Sequence, residues 1–593
     1  MPNRRRAAQA MGVWASAPPS AGQRHPADAP LSGPRLDHSI LRTIFFIIAA
    51  IALTNAVRAA ALVLTQGRVY TGDAKQPRAE AVLAVDGRIA FVGGAAEAQR
   101  RAPAGARVID LAGRTVFPGF VDAHAHLVGI GFRELNFNLE GTAGLGELQE
   151  KLRRRAASEP GPGGWIVGRG WIESQWSPPK FPTRADLDAV VPDRPVVLTR
   201  ADGHALVANS RALALARIDR TTPNPSGGEI LRDANGEATG LLIDQAMDLV
   251  RRLVPGATEA ETARAIVIGA EREVRLGWTQ IHVAGASTSE VRLLQRLSAE
   301  GKTKLRLFVA VSGPGAAAEE LLGTGSLVGE NCRVRGIKCY IDGALGSRGA
   351  ALLEPYADAP ASRGLLLNTP EKLLPFFIRA LRAGLQVQTH AIGDRGNRLV
   401  LDLYEQAFAA VPPGERKVAE PRWRIEHAQV LHADDIPRFK RLGVIASMQP
   451  SHAIGDLYFA PSRLGPARLG GAYAWRSLLD AGAIVAGGSD APVERGEPMI
   501  EFYAAVARRA PDGFANADWR REQRVTRAEA LKLFTLGPAF ASFEEKERGS
   551  IEVGKVADFT VLSADILEIP EAEILKTRCV MTVIAGAIVW EQR

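Results

Sequence analysis

The stretch VFPGFVDAHAHL, residues 116–127, decides the fold of this chain. It is typical of a short apolar strand that ends in two histidines. Side chains alternate between the faces of a strand, so His124 and His126 are expected to point the same way. Two imidazoles on one face can hold one metal ion. Alternatively, one is a core histidine and the other lies at the surface. The choice between these two interpretations depends on whether other candidate ligands occur in the rest of the chain.

Seven further apolar strands follow this stretch. Helical patterns lie between most of them, for example over residues 260–276 and 371–383. Eight strand–helix units in series predict an α/β protein with a closed (β/α)8 barrel of the TIM type. The seven predicted strands span residues 278–283, 305–311, 336–341, 385–390, 423–427, 444–448 and 484–490.

One connection of this predicted barrel is abnormally long. About 150 residues separate His126 from the strand at residue 278, several times what one crossover needs. Gly-Trp turns and the run VVLTRADGH, residues 196–204, lie within it. We therefore predict an inserted subdomain, at about residues 130–270, on the C-terminal face of the barrel.

The two ends of the chain resemble each other in pattern. Short strands and tight turns occupy residues 61–117 and again residues 546–593, and neither segment holds enough apolar residues for a core of its own. We predict that both ends fold together into one small β-sandwich, with the barrel domain of residues 118–545 between its two parts.

The first 60 residues are typical of a disordered tail followed by a secretory signal peptide. Arg42 precedes an apolar run over residues 44–53, and cleavage is expected after Ala59 or Ala61. The run is too short for a transmembrane helix, which needs roughly 20 apolar residues. The prediction is a secreted or periplasmic protein with no stable membrane span after cleavage. The alternative is an uncleaved N-terminal segment that anchors the protein to a membrane.

Length and charge narrow the class of protein. A chain of 593 residues predicts at least two domains. Most of the net charge of +8 lies in the first 59 residues, with seven arginines against two aspartates, so nucleic-acid binding has little support. Three scattered cysteines form no disulfide framework. The oligomeric state stays open, with a homodimer as one outcome.

Polar residues at the predicted strand ends indicate a metal site. In a barrel of this type, catalytic groups lie at the C-terminal ends of the strands. Imidazole and carboxylate ligands suit Zn²⁺ and similar divalent ions. The six candidate metal ligands are His124, His126, Lys338, His390, His427 and Asp490.

Several segments of the chain resemble the amidohydrolase superfamily, and most closely its amidohydrolase-3 branch, that of the YtcJ-like proteins and N-substituted formamide deformylases. The resemblance covers the chain from about residue 62 to the end and implies a barrel, a β-sandwich built from both ends, and one or two divalent metals, with zinc expected. The matching segments are residues 118–126, 337–348, 389–394, 424–428 and 488–490, with further likeness at 202–204 and 209–213.

The resemblance also implies roles for the six candidates. His124, His126 and Asp490 would hold one metal, and His390 and His427 a second. Lys338 would bridge them as a carboxylated lysine, because an ammonium group has no lone pair for a metal. The alternative is an unmodified amine beside a single metal. Asp490 would be the catalytic residue that moves a proton from water to the leaving nitrogen.

Three other residues are candidates for substrate binding. His204 lies in the insert, where it either binds substrate or packs. Asp342 and Arg348 flank the lysine strand, and an internal ion pair is an equally good interpretation of both. His282 is interpreted as a barrel-lining hydrogen-bonding residue, and no positional argument applies to His452.

The predicted function is that of a metal-dependent amidohydrolase acting on a small molecule. It would hydrolyse a non-peptide C–N bond, in an amide, N-formyl or cyclic amide group, through a metal-activated hydroxide. One alternative is ester or enamide-type hydrolysis at the same site. The other is a regulatory or binding protein that keeps this fold without turnover.

Overall fold

The computed structural model describes residues 61–592, apart from residues 136, 159–163, 174–175, 226 and 512–518. The predicted signal peptide and tail, residues 1–60, lie outside the described residues and stay a prediction. Within the described part of the chain, no helix is both long enough and apolar enough to cross a membrane.

Eight parallel strands form the barrel, each paired with the next one along the chain. The predicted (β/α)8 fold class is confirmed. The predicted first strand divides at Gly119, with its first part in the β-sandwich and its second part in the barrel. In order, the barrel strands are Phe120–Ala125, Trp278–Ala286, Arg306–Ser312, Cys332–Tyr340, Gln386–Ala391, Arg424–His427, Ile445–Met448 and Val485–Gly487.

Hydrogen bonds beyond the last strand close the barrel. The backbone N–H of Asp490 donates to the carbonyl oxygen of His124 at 2.7 Å, and the N–H of His126 donates to Ala491 at 2.8 Å. The buried carboxylate of Asp122 accepts from the backbone N–H groups of His124 and Ser489, at 3.1 and 2.9 Å. The first and eighth strands are therefore held together where the candidate ligands lie.

Helices surround the barrel. The helix Glu259–Leu276 begins at a capping box between Thr258 and Glu261, and it ends at Gly277, whose φ of 105° suits a residue without a side chain. Other helices after barrel strands are Leu127–Leu135, Thr288–Ala299, Ala316–Thr324, Pro370–Ala383, Asp394–Ala410, Ile436–Leu442, Pro450–Gly455, Ala460–Leu464, Trp475–Asp480, Pro498–Ala507, Arg527–Leu533 and Leu536–Ala541.

Two sheets pack face to face to form the β-sandwich. Leu62 and Val82 of one sheet share a buried cluster with Phe559, Val561 and Val583 of the other, so both ends of the chain supply this core. One sheet has the order Arg88–Gly93, Ala81–Val85, Ala61–Thr65 and Arg107–Asp110. The other has the order Ala587–Glu591, Cys579–Ile584, Phe559–Leu562, Thr115–Pro118, Arg68–Tyr70 and Arg78–Ala79.

The long connection after the first barrel strand forms a sheet of its own. Consecutive residues such as Leu206 and Val207 belong to different apolar clusters, because alternate side chains face opposite sides of a strand. Both faces of this sheet are therefore covered by side chains of the insert. Its strands, in spatial order, are Gly228–Arg232, Ala238–Asp244, Ala205–Ala208, Val196–Arg200, Ile166–Trp171 and Phe137–Asn138.

A buried ion cluster joins the β-sandwich to the barrel. Asp558 accepts from Arg306, the first residue of the third barrel strand, at 2.8 Å and from Arg548 at 3.2 Å. The N–H of Ala585 donates to its other oxygen at 2.8 Å. Burial alone would raise the pKa of Asp558, but the two guanidinium groups hold it below its ordinary value.

We expect Asp558→Asn to destabilise the protein by about 3–5 kcal/mol, because it leaves two buried arginines without their shared anion. The measurement is the urea midpoint and the melting temperature. Glu319→Gln is the matched control, since it breaks an exposed ion pair with Arg379 and should change stability by about 0.5 kcal/mol or less. Equal stability of the two variants would contradict the stabilising contribution proposed for the ion cluster.

Candidate metal centre

A cavity of about 770 Å³ opens at the C-terminal end of the barrel. The barrel strand ends contribute its histidines, and the insert contributes Arg169, Arg200 and His204 to the opposite wall. A cavity with polar groups converging from several elements is the usual form of a small-molecule site.

Three buried side chains form the centre of this site. Nitrogen atoms of His124 and His427 and an oxygen of Asp490 lie within 4.8 Å of one another. The Nε2 atom of His124 lies 3.5 Å from Oδ1 of Asp490. Two imidazoles and a carboxylate at this spacing can bind a divalent metal.

Two neighbouring residues orient these imidazoles. Nδ1 of His124 contacts the carboxylate of Glu426, and Nδ1 of His427 lies 2.8 Å from Oε1 of Gln449. With the Nδ1 proton donated in each case, Nε2 carries the lone pair. Burial keeps the pKa of His124 below and that of His427 well below the ordinary value, so both rings favour the neutral, metal-binding form.

The other three candidates surround this centre. Nε2 of His126 lies 3.0 Å from Oδ1 of Asp490, and Nζ of Lys338 lies 3.3 Å from Nε2 of His124. The ring centroid of His390 is 4.5 Å from that of His427. The structure thus places all six predicted ligands at one end of the barrel, and among their histidines and aspartate it brings His124, His427 and Asp490 within 4.8 Å of one another.

The charges of the centre favour an ionised Asp490. Burial alone would raise the pKa of this carboxyl, but the hydrogen bond from His126 and the nearby imidazoles of His124 and His427 hold it well below its ordinary value. Burial also lowers the pKa of Lys338, whose side chain is almost fully enclosed. The site therefore combines one anionic oxygen donor with several neutral nitrogen donors.

The backbone is strained at two of the three central residues. His427 has φ of 75° and Asp490 has φ of 58°, values that residues with a side chain seldom adopt. Strain of this kind costs about 1–3 kcal/mol at each position and persists where the surrounding structure holds it. The strained backbone points the side chains of His427 and Asp490 in directions that a regular strand would not allow.

The predicted substrate-binding residues have different positions. His204 lines the cavity, with Nδ1 2.8 Å from Oδ1 of Asp244, so its place is compatible with the prediction. Asp342 is fully buried and accepts from three backbone N–H groups, and Arg348 pairs with Asp358 at 2.9 Å. Neither Asp342 nor Arg348 is among the residues that line the cavity, and each has internal partners, so their substrate-binding roles stay predictions. For Arg348 the alternative of an internal ion pair is observed, with Asp358 as its partner.

Sequence reasoning missed two residues of the site. Glu426 precedes His427, and strict alternation along a strand would place them on opposite faces. His452 lies on the short helix after the seventh strand, with Nε2 3.6 Å from Oδ2 of Asp490 and 3.9 Å from Oε1 of Glu494. The signal available for Glu426 was an acidic residue next to a candidate ligand within a predicted barrel strand.

The fold and the site together define a (β/α)8-barrel protein with a buried metal-binding cluster of histidine and aspartate. The sequence matches the amidohydrolase family Amidohydro_3 over residues 107–590, and the chain belongs to this family. Amidohydrolases of this family are metal-dependent, and the cluster of His124, His427 and Asp490 is suited to that requirement.

Relatives match the chain over most of its length. YtcJ of Bacillus subtilis is 35% identical over 536 residues, which is 89% of this chain and 98% of YtcJ. The N-substituted formamide deformylase of Arthrobacter pascens is 31% identical over 545 residues, 90% of this chain and 98% of the deformylase. An uncharacterized metal-dependent hydrolase from Pyrococcus horikoshii has a TM-score of 0.71 at 27% identity, covering 86% of this chain and 99% of that structure.

We expect Glu426→Gln to lower metal affinity by about 10–100-fold, because an amide orients and polarises the His124 imidazole less strongly than a carboxylate does. Affinity is measured by competition with a chelator of known metal affinity. Glu415→Gln, on the protein surface, is the control. Unchanged affinity in a folded Glu426→Gln protein would contradict the role assigned to this carboxylate.

Proposed function

We propose that this protein hydrolyses a non-peptide C–N bond in a small molecule, in an amide, N-formyl or cyclic amide group. The observation that carries the proposal is the buried cluster of His124, His427 and Asp490 at the floor of a cavity large enough for a small molecule. The N-substituted formamide deformylase among its relatives supports this type of bond.

The histidines and the aspartate of the centre are suitable ligands for a divalent metal ion, and we propose that this ion is zinc. Neutral imidazoles with their Nδ1 atoms already occupied, beside an ionised carboxylate, are the donors that zinc takes. His124, His126 and Asp490 would hold one ion, and His390 and His427 a second. When bound, such an ion lowers the pKa of water and polarises a carbonyl group.

We also propose that Lys338 is carboxylated when two metals are bound. Its Nζ atom lies 3.3 Å from Nε2 of His124, where an ammonium charge would repel a metal. Burial lowers the pKa of this amine, which favours the neutral form that reacts with carbon dioxide. A carboxylated lysine would add oxygen donors between the two groups of histidines.

Asp490 has the position needed to move a proton. Its Oδ1 atom faces His126 and His124, whereas Oδ2 faces His452 at 3.6 Å. We propose that the carboxylate accepts a proton from the attacking water and passes it to the leaving nitrogen, so that the products are a carboxylic acid and an amine. Residues of the insert, Arg169, Arg200 and His204 among them, form part of the cavity wall.

We expect Asp490→Asn to lower kcat by about 10²–10⁴-fold, since an amide cannot accept the proton. The assay uses N-formyl amines, N-acyl amines and cyclic amides, with esters and dipeptides for comparison. Metal content is measured for each protein, because Asp490 is also a candidate ligand. Asp434→Asn, on the surface, should keep full activity.

A chelator should abolish activity, and added Zn²⁺ should restore it. Metal-replete protein that hydrolyses esters but no amide would favour the esterase alternative. Metal-replete protein with no hydrolytic activity at all would favour a binding or regulatory role and would contradict the proposed function.

Carboxylation of Lys338 predicts an added mass of one carbon dioxide on the intact, metal-loaded protein in native mass spectrometry. Lys338→Ala should lose the second metal and most of its activity, and short carboxylic acids should partly restore both by replacing the missing oxygen donors. An unmodified lysine in protein that contains two metals would overturn this assignment.

A further inference from the structure

One arginine of the cavity wall has no acidic partner among the described residues. Arg169 is half-buried, and among the described residues the single hydrogen bond of its side chain goes from a terminal nitrogen to the carbonyl oxygen of Ala201 at 2.7 Å. A guanidinium group has five N–H donors, so most of its hydrogen-bonding capacity is unused.

The other four arginines that line the cavity are each paired with carboxylates. Arg200 contacts Glu173 at 2.8 Å, and Arg272 contacts Glu273 at 2.6 Å. The remaining two arginines are also paired: Arg133 with Glu134 and Glu140, at 3.7 and 3.8 Å, and Arg495 with Glu497, at 2.6 Å. Arg169 therefore differs from them in carrying a charge that no described residue neutralises by direct contact.

A local irregularity of the insert directs Arg169 into the cavity. In a regular strand, Arg169 and Trp171 would lie on the same face. The pairing with the neighbouring strand shifts register between these two residues, and Gly170 has φ of 110°. Trp171 is consequently buried in the core of the insert, while Arg169 lines the cavity. Bulges of this kind commonly redirect a side chain next to an active site.

A side chain on Gly170 would prevent this conformation. An added Cβ atom would lie 2.8 Å from the backbone nitrogen of Glu140, too close for any ordinary contact. The position also needs a φ value that other residues seldom adopt. The glycine at position 170 thus permits the backbone conformation that places the Arg169 guanidinium in the cavity wall.

Two carboxylates that line the cavity are already engaged. Asp202 is held by Arg200 at 2.5 Å and by the N–H of His204 at 3.1 Å. Asp456 accepts from the hydroxyl of Tyr473 and from Gln429. Burial lowers the pKa of the Arg169 guanidinium, the negative charges of Asp490 and Asp202 oppose this shift, and an arginine side chain stays protonated.

We infer that Arg169 binds a carboxylate group of the substrate while the scissile C–N bond lies at the metal centre. The inference rests on the proposed function and narrows its substrate to amides that carry an acid, such as N-acyl or N-formyl amino acids. A carboxylate matches one guanidinium in charge and in its planar shape, whereas a phosphate dianion would leave one charge unpaired.

The test compares substrates that differ in one charge. N-formyl and N-acetyl amino acids are assayed beside the corresponding amino acid amides, in which a neutral carboxamide replaces the carboxylate. Release of formate or acetate is measured, so that only cleavage of the acyl C–N bond is counted. The native metal-loaded protein should prefer the acids by about tenfold or more in kcat/KM, as expected for hydrogen bonds to a charged group.

Arg169→Gln should remove this preference mainly through a higher KM for the acids, with kcat and the values for the amides little changed. Arg169→Lys keeps the charge but loses the planar group, and it should restore part of the preference. Arg495→Gln is the matched control, because it removes one positive charge from the rim of the same cavity. The Arg495→Gln variant should keep the preference for acids over amides. It would lose this preference only if the preference came from the overall charge of the cavity.

A binding measurement separates this inference from the proposed function. Calorimetric titration of the native protein with N-acetyl amino acids and their amides needs no turnover. Binding of the acids that depends on Arg169, without hydrolysis of any amide, would support the inference and contradict the proposed function. Hydrolysis of neutral and acidic amides at equal rates, with equal binding, would overturn the inference and leave the proposed function standing. An equal loss of preference in Arg495→Gln would also overturn it.

Discussion

The site depends on closure of the barrel between its first and last strands. His124 and Asp490 are more than 360 residues apart, yet the N–H of Asp490 donates directly to the carbonyl oxygen of His124. Asp122 reinforces this junction by accepting from both sides, and Gly488 leaves no room for a Cβ atom beside the His124 nitrogen. The same contacts that complete the fold therefore bring a nitrogen and an oxygen donor to ligand distance. An open sheet of the same eight strands would hold these residues at opposite edges.

Electrostatics accounts for the composition of the centre. Burial lowers the pKa of His124, His390 and His427 by disfavouring the charged imidazolium. Burial alone would raise the pKa of Glu426, but His124 and the nearby Lys338 lower it to about 2. The result is a set of neutral nitrogen donors supported by ionised oxygens, which is the arrangement a divalent cation stabilises. The left-handed backbone at His427 and Asp490 fits the same interpretation, since strain is tolerated where a site needs a particular direction.

Much of this fold could be predicted from sequence because its signals are local. The barrel strands are short and largely apolar, and polar residues at or near the ends of five of them were the metal-ligand candidates. Glu426 was missed because the alternation rule assumes a regular strand, whereas the positive φ of His427 lets two consecutive residues serve one site. The three backbone N–H groups that Asp342 binds could not be predicted, because such a carboxylate looks the same in sequence as one that binds substrate. Arg169 required knowledge of which other arginines were already paired, and no pattern in the chain contains that information.

The proposed metal binding and the proposed substrate recognition lie in two different parts of the chain, the barrel and the insert. The candidate metal ligands all come from the barrel, where paired strands and helix packing hold them rigidly. Arg169 comes from the insert, on a bulged strand whose sheet has its own apolar clusters. Loops and inserts above a barrel of this type vary without disturbing the strand ends. The chemistry of bond cleavage and the choice of substrate can therefore change independently. The insert is thus the part of the molecule in which relatives with the same metal centre are expected to differ in the group they recognise.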